Sequence, residues 1–219
     1  MGDTQRRVFW LLAAVGLRSG TGSAGGHRLH GPRVLFFGDS LIAGTGALPR
    51  QPVEVRTVTD RMGWVPYVDA FGGTGYATGG KHGRPYLDRL SHDHFLSRTY
   101  DLVVLEGGTN DAHFGRLSQL RLQALRTLDL VRAKEPQARV VMVGAFAPAG
   151  VDLTRYAKAD AILAVVAHDR GLQYVSQLHF SSVTDKGFLS RDRYHPSDAG
   201  YEQMGLAFAA AIKAWVPTS

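Results

Sequence analysis

The chain contains no cysteine, which excludes disulfides, thiol nucleophiles and cysteine-ligated zinc and fits a reducing or an oxidising compartment equally well. No stretch approaches the roughly 18 to 20 apolar residues of a membrane span, so stable membrane insertion is not expected. Lysine is scarce, 5 residues against 20 arginines, and the formal net charge is +6 with a pI of about 9.8. There is no block of five or six cations, whereas nucleic-acid binding concentrates charge on one face with stacking aromatics. The excess reads as a solvated basic coat with weak attraction to acidic polymers or anionic surfaces, and no nucleic-acid partner is expected. The signature Gly-x-Ser-x-Gly is missing as well. Ser40 is followed two residues on by Ile42, which argues against an α/β-hydrolase nucleophile elbow.

What is present is an ordinary globular composition: 44% hydrophobic, 20% charged and 10% aromatic over 219 residues, enough for one domain with a full core. Residues 1–26 stand apart. "MGDTQRR" is polar, and the ten apolar residues "VFWLLAAVGL" have the length of a signal-peptide core. "QRRVFW" also resembles a twin-arginine export signal. Arg18 interrupts the pattern, and the site after Ala24 is a poor cleavage site. We expect an N-terminal segment, export signal or extension, over 1–26 and a single domain over 27–219, exported or otherwise cytoplasmic.

Beyond the Gly/Ser-rich link, apolar runs alternate with helical periodicity. Val34–Phe37, "VPYVDAFGG", 101–108, 138–147 and 172–176 read as strands. Helices are expected over 117–135, where leucines recur at three- and four-residue spacing, over 156–171 with Gly171 as a C-cap, and over roughly Ser197–Trp215 with Ser197 as N-cap. Residues 44–64 show no clean periodicity and read, with 76–86, as loops that set specificity. Alternating strands and helices imply parallel βαβ units. The expected fold is therefore α/β, a three-layer α/β/α sandwich on a mostly parallel five-stranded sheet. Ligands bind such sheets at the carboxyl ends of the strands, where Ser40, Gly75 and Asn110 all fall.

Those ends carry the parts of a serine esterase. "VLFFGDSLIAGTG" puts a serine at the mouth of a buried strand. A serine hydroxyl needs an adjacent base to react, and "RDRYHPSDAGY" offers His195 with Asp192 three residues before it to orient the ring. "FGGTGYATGG" is dense in glycines whose N–H groups can turn towards an anion. "LEGGTND" ends a strand on Asn110, whose amide can donate to an oxyanion.

Together, "Gly38-Asp39-Ser40-Leu41", "Gly72-Gly73-Thr74-Gly75", "Gly108-Thr109-Asn110-Asp111" and "Asp192-Arg193-Tyr194-His195" resemble, in order, the four signature blocks of the SGNH (GDSL-type) hydrolases. The resemblance implies a flavodoxin-like fold and a Ser40–His195–Asp192 triad. It implies an oxyanion hole from the N–H groups of Ser40 and Gly75 with the Asn110 amide, an acyl-enzyme, and no cofactor or metal. The neighbouring glycines leave the register of the second block open by a residue or two. The implied substrates are small or polymer-linked acyl esters, with short-chain and acetyl groups favoured. An acyltransferase using the same site, or a non-catalytic carbohydrate- or envelope-binding module, are the alternatives.

Other signals carry less. The glycine stretch lacks Gly-x-Gly-x-x-Gly spacing for a dinucleotide. His92 and His94, two apart on a helix, face different ways and read as surface residues, not metal ligands. Asp111 reads as a local loop support. Tyr76 and Tyr194 flank the site as pocket or packing residues.

Overall fold

Five parallel strands and one antiparallel edge strand form a single sheet in the computed structural model, which describes residues 8–10, 31–92, 99–178, 180 and 185–213. In chain order the strands are β1 (Val8–Trp10), β2 (Arg33–Gly38), β3 (Val65–Ala70), β4 (Leu102–Glu106), β5 (Arg139–Val143) and β6 (Gln173–Val175). They lie side by side as β1-β3-β2-β4-β5-β6. The helices are α1 (Val53–Met62), α2 (Tyr86–His92), α3 (Thr109–His113), α4 (Leu117–Lys134), α5 (Thr154–Asp169) and α6 (Asp198–Ile212).

Apolar residues of β2 are buried on both sides, as a central parallel strand requires. Leu35 and Phe37 pack with Leu90 of α2, Leu120 and Leu128 of α4 and Leu163 of α5. Val34 and Phe36 pack with Val55 and Val58 of α1 and Phe208 and Ile212 of α6. Two cores back to back on one sheet make the three layers expected from the alternation.

Among the elements that differ from the sequence reading, two bear on the sheet and its cover. Residues 53–62 form a helix, although no periodicity marked it. Its buried residues are Val53, Glu54, Val55, Val58 and Thr59, so a carboxylate and a hydroxyl sit on the inward face and erase the apolar pattern. Val8–Trp10, placed within the detached N-terminal segment, pairs antiparallel with Ala70–Val68 of β3 and adds a sixth strand. The paired arginines and the cleavage position after Ala24, on which the export reading rests, lie outside the described residues. The last helix runs to Ile212, capped by Ser197, whose side chain accepts the Gly200 N–H.

The first strand of the parallel set, β2, lies between β3 and β4. Chain direction of travel reverses there, and that is where an open α/β sheet has its ligand crevice. The carboxyl ends of β2, β3 and β4 are adjacent, with Gly38 in register with Ala70 and Phe37 with Leu105.

Candidate active site

Ser40 begins the turn that leaves β2. The chain coils at once, with the Ala43 N–H donating to Asp39 O at 3.1 Å and the Thr45 N–H to Ser40 O at 2.9 Å. The Asp39 carboxylate accepts the Leu41 N–H at 2.9 Å. Ser40 is 7% exposed, on the wall of a cleft of about 480 Å³.

His195 reaches the same cleft from the segment between β6 and α6. Its Nε2 lies 3.0 Å from Ser40 Oγ, and its Nδ1 lies 2.7 Å from Asp192 Oδ2. The other Asp192 oxygen accepts the N–H groups of Tyr194 and His195 at 2.8 and 2.9 Å and the Ser190 hydroxyl at 2.8 Å. Partial burial works against ionisation of Asp192, but the bonds from the His195 ring, the two backbone N–H groups and Ser190 prevail and hold its pKa down at about 2. An ionised carboxylate only accepts, so the imidazole proton sits on Nδ1 and Nε2 keeps its lone pair towards Ser40. Gly46 makes room for the ring. Its φ is +102°, and a Cβ there would lie 2.9 Å from His195 Cβ, so both backbone and space call for glycine.

Asn110, in the first turn of α3, also lines the cleft. Its Nδ2 donates to Asp39 Oδ2 and to the Thr74 carbonyl, each at 2.8 Å. The amide therefore ties the third block to the first and the second.

Gly75 is placed otherwise than expected. Its N–H donates to Thr78 O at 2.8 Å, it is not part of the cleft wall, and a Cβ on it would lie 2.5 Å from Asp111 Oδ2. Gly72 and Gly73 line the cleft instead, with the position of a Gly72 Cβ 3.6 Å from Ser40 Cβ. The Gly73 and Ser40 N–H groups have no hydrogen-bond partner among the described residues. The open register of four glycines in eight residues explains the difference.

A family model for the GDSL-like lipase/acylhydrolase family matches residues 36–203, spanning all four blocks. The chain belongs to this family. It is a carboxylic ester hydrolase by class. No curated protein sequence matches it. Among solved structures, it is similar to a family two carbohydrate esterase from Clostridium thermocellum in complex with cellohexaose (TM-score 0.70, 19% identity, 88% of this chain and 66% of that one). It is also similar to the psychrotrophic esterase EstA from Pseudoalteromonas sp. (TM-score 0.65, 16% identity, 84% and 98%), and to TesA (TM-score 0.65, 19% identity, 84% and 99%). At these identities the likeness is one of fold. This chain spans about two thirds of the length of the carbohydrate esterase and nearly all of the other two.

The other residues singled out in the sequence of this GDSL-like hydrolase divide clearly. Tyr194 lines the cleft. Tyr76 is fully buried and packs tilted against Tyr86, with ring centroids 4.9 Å apart and planes at 57°, and does not line the cleft. Asp111 is wholly buried, and its support is not local. It accepts the N–H groups of Tyr76 at 3.1 Å and Ala77 at 2.7 Å, 35 and 34 residues away. Burial pushes its pKa up to about 6, against the pull of those backbone donors. His92 turns its Nδ1 to its own helix, 2.8 Å from Asp88 O, and His94 lies outside the described residues. No metal-binding group of acids and histidines occurs among the described residues.

Sequence reasoning missed Arg89, which is 3% exposed. Its guanidinium donates to Gly38 O at 2.9 Å, to Thr74 Oγ1 at 2.8 Å and to Asp69 Oδ1 at 2.6 Å, with its carbon 4.3 Å from the centroid of the Phe37 ring. One side chain thus joins the residue before Asp39-Ser40 to the glycine block. The signal was an arginine one residue before Leu90 on a helix whose Tyr86 and Leu90 face inward, since buried arginines come paired.

Proposed function

We propose that this enzyme hydrolyses short-chain acyl or acetyl esters through Ser40, His195 and Asp192 and a covalent acyl-enzyme. The observation that carries the reading is the unbroken relay from Asp192 Oδ2 through His195 to Ser40 Oγ, at 2.7 and 3.0 Å, ending in an open cleft. Ser40 Oγ attacks the ester carbonyl as its proton passes to His195 Nε2. The C–O bond forms and the carbonyl π electrons move to oxygen. Collapse of the tetrahedral intermediate breaks the bond to the alcohol, which takes the proton back from His195. Water then attacks the acyl-serine, losing a proton to the same nitrogen, and the acid departs as Ser40 regains its hydrogen. Asp192 stays ionised throughout and stabilises the imidazolium.

The oxyanion is assigned to the unpaired N–H groups of Ser40 and Gly73, with the Asn110 amide as third donor. Asn110 meets it by turning one N–H away from the Thr74 carbonyl, while Asp39 retains the other. Such preorganised donors are worth roughly 3–4 kcal/mol each in the transition state. A short acyl group and a carbohydrate alcohol are supported by the aromatic wall of the cleft, where the ring of His113 contacts both Tyr194 and Phe114, itself 50% exposed, and by the likeness to a carbohydrate esterase.

The test is hydrolysis of para-nitrophenyl acetate, butyrate and octanoate beside a Ser40→Ala control. Turnover that vanishes in the control and falls with chain length supports the assignment. Turnover that persists in Ser40→Ala removes Ser40 as nucleophile.

A further inference from the structure

The permanently charged side chains on the wall of the cleft around Ser40 are of one sign. Arg50 and Lys81 are on its wall, and no aspartate or glutamate is. Neither cation has an ion-pair or hydrogen-bond partner among the described residues, whereas Arg84, Arg89, Arg121 and Arg170 each bind an aspartate. The two come from separate loops. Arg50 precedes α1, in a loop anchored by the Leu48 N–H on Asp198 Oδ1 at 2.9 Å. Lys81 sits in a 3₁₀ turn, Gly80–His82, packed directly on the glycine block: a Cβ on Gly80 would lie 2.5 Å from Gly73 O. The backbone next to each is therefore tied to the rest of the site, and neither side-chain charge is paired among the described residues. His113 on the same wall adds donors and no negative charge.

A concave site with cations and no acidic side chain on its wall concentrates anions and holds them more strongly than an open surface does. Resting on the ester-hydrolase reading above, we infer that the natural ester carries an anionic group, a carboxylate or phosphate, which Arg50 and Lys81 bind while Ser40 attacks the neighbouring carbonyl. The scissile ester itself is neutral and needs neither cation, so their convergence on this cleft is a specificity device. The anion belongs either to the alcohol half or to the acyl half.

Two matched pairs of esters distinguish these. Mono(para-nitrophenyl) adipate against para-nitrophenyl hexanoate places the charge on the acyl half. Para-acetoxybenzoate against its methyl ester places it on the alcohol half. The quantity read is the anionic-to-neutral ratio of kcat/KM, in the full chain and in an Arg50→Gln/Lys81→Gln double variant, so that intrinsic reactivity cancels. Exposed ion pairs contribute up to about 1 kcal/mol each. The ratio for at least one pair is thus expected to fall about 3- to 30-fold in the double variant, and to fall in the unmodified protein as salt is raised. A fall in the adipate pair alone puts the anion on the acyl half, and a fall in the benzoate pair alone puts it on the alcohol half. Ratios unchanged by the double substitution overturn the proposal. Calorimetric binding of the same four esters to Ser40→Ala reads the preference independently of turnover. Tighter anionic binding that the double substitution abolishes upholds the inference even if the serine assignment fails, and equal binding sinks it even if that assignment stands.

Discussion

Asp39 and Asn110, 71 residues apart, are joined at 2.8 Å, carboxylate to side-chain amide. Because Asp39 also accepts the Leu41 N–H, one buried carboxyl fixes both the turn that carries Ser40 and the amide assigned to the oxyanion. Asp39→Ala removes the acceptor that aims Asn110 without touching substrate. Its kcat is expected to fall about 10- to 100-fold with KM little changed, the pattern of a lost transition-state interaction. Steady-state kinetics at fixed pH provide the check, and an unchanged kcat would show that Asn110 holds its place without Asp39.

Asn110→Ala separates donor from brace. If the amide turns from the Thr74 carbonyl to the oxyanion, its removal lowers kcat about 100- to 1000-fold at nearly constant KM. A loss seen only in KM would reduce Asn110 to a substrate contact. A loss seen only in urea stability would make it a strut between blocks.

Arg89 holds a carbonyl, a hydroxyl and a carboxylate beneath the first two blocks. Arg89→Met keeps much of its length and its contact with Phe37, yet takes the Arg89 guanidinium away from the buried Asp69 carboxylate. Breaking one partner of a buried pair costs about 3–5 kcal/mol, to be read as a lower urea midpoint with an unchanged slope. Adding Asp69→Asn to Arg89→Met should recover part of the loss, because the buried group that faced the guanidinium is then neutral. A double variant as unstable as the sum of the singles would assign the cost to packing instead.

These residues also mark what was legible in the sequence. Strands β2, β4 and β5 and helices α4 and α5 announce themselves by buried apolar runs and leucine spacing, and they suffice to put the chemistry on one sheet edge. Ser40, His195 and Asp192 could be picked out because a serine esterase would use those residue types in that order, and the structure brings them to hydrogen-bond distance, on which the proposed triad rests. Helix α1 was not readable, since Glu54 and Thr59 occupy its buried face. Gly75 could not be told from Gly73, because glycines carry no side chain to fix a register, and the difference lies in which N–H finds a carbonyl. Arg89 and Asp111 act across 15 to 51 residues of chain, a pairing that local pattern does not encode.

Beneath the site, Glu54 and Glu106 share a small cavity at 4% and 1% exposure. Among the described residues, Gln177 Nε2 donates to Glu54 at 3.5 Å. Burial pushes Glu54 from 4.5 up to about 8, with the charge of Asp39 adding to it, and burial raises Glu106 well above its ordinary value. Burial likewise lifts Asp39 to about 7, opposed by the Leu41 N–H. Between the unfolded values near 4 and these folded values, the native state therefore holds protons that the unfolded chain has released. By linkage, stability is greatest at the acid end of that window, declines as pH rises through about 7 to 8, and levels off only above the folded values. Asp192 works with the opposite sign, adding stability above about pH 4 that is lost as pH falls through 2, so the two effects do not overlap. Glu54→Gln removes one of the retained protons while preserving shape. The decline in melting temperature between pH 5 and 8 should become shallower in the variant, with the two curves diverging most at the alkaline end. Parallel curves would mean that Glu54 ionises in the folded protein as readily as in the unfolded one, and that water reaches the cavity.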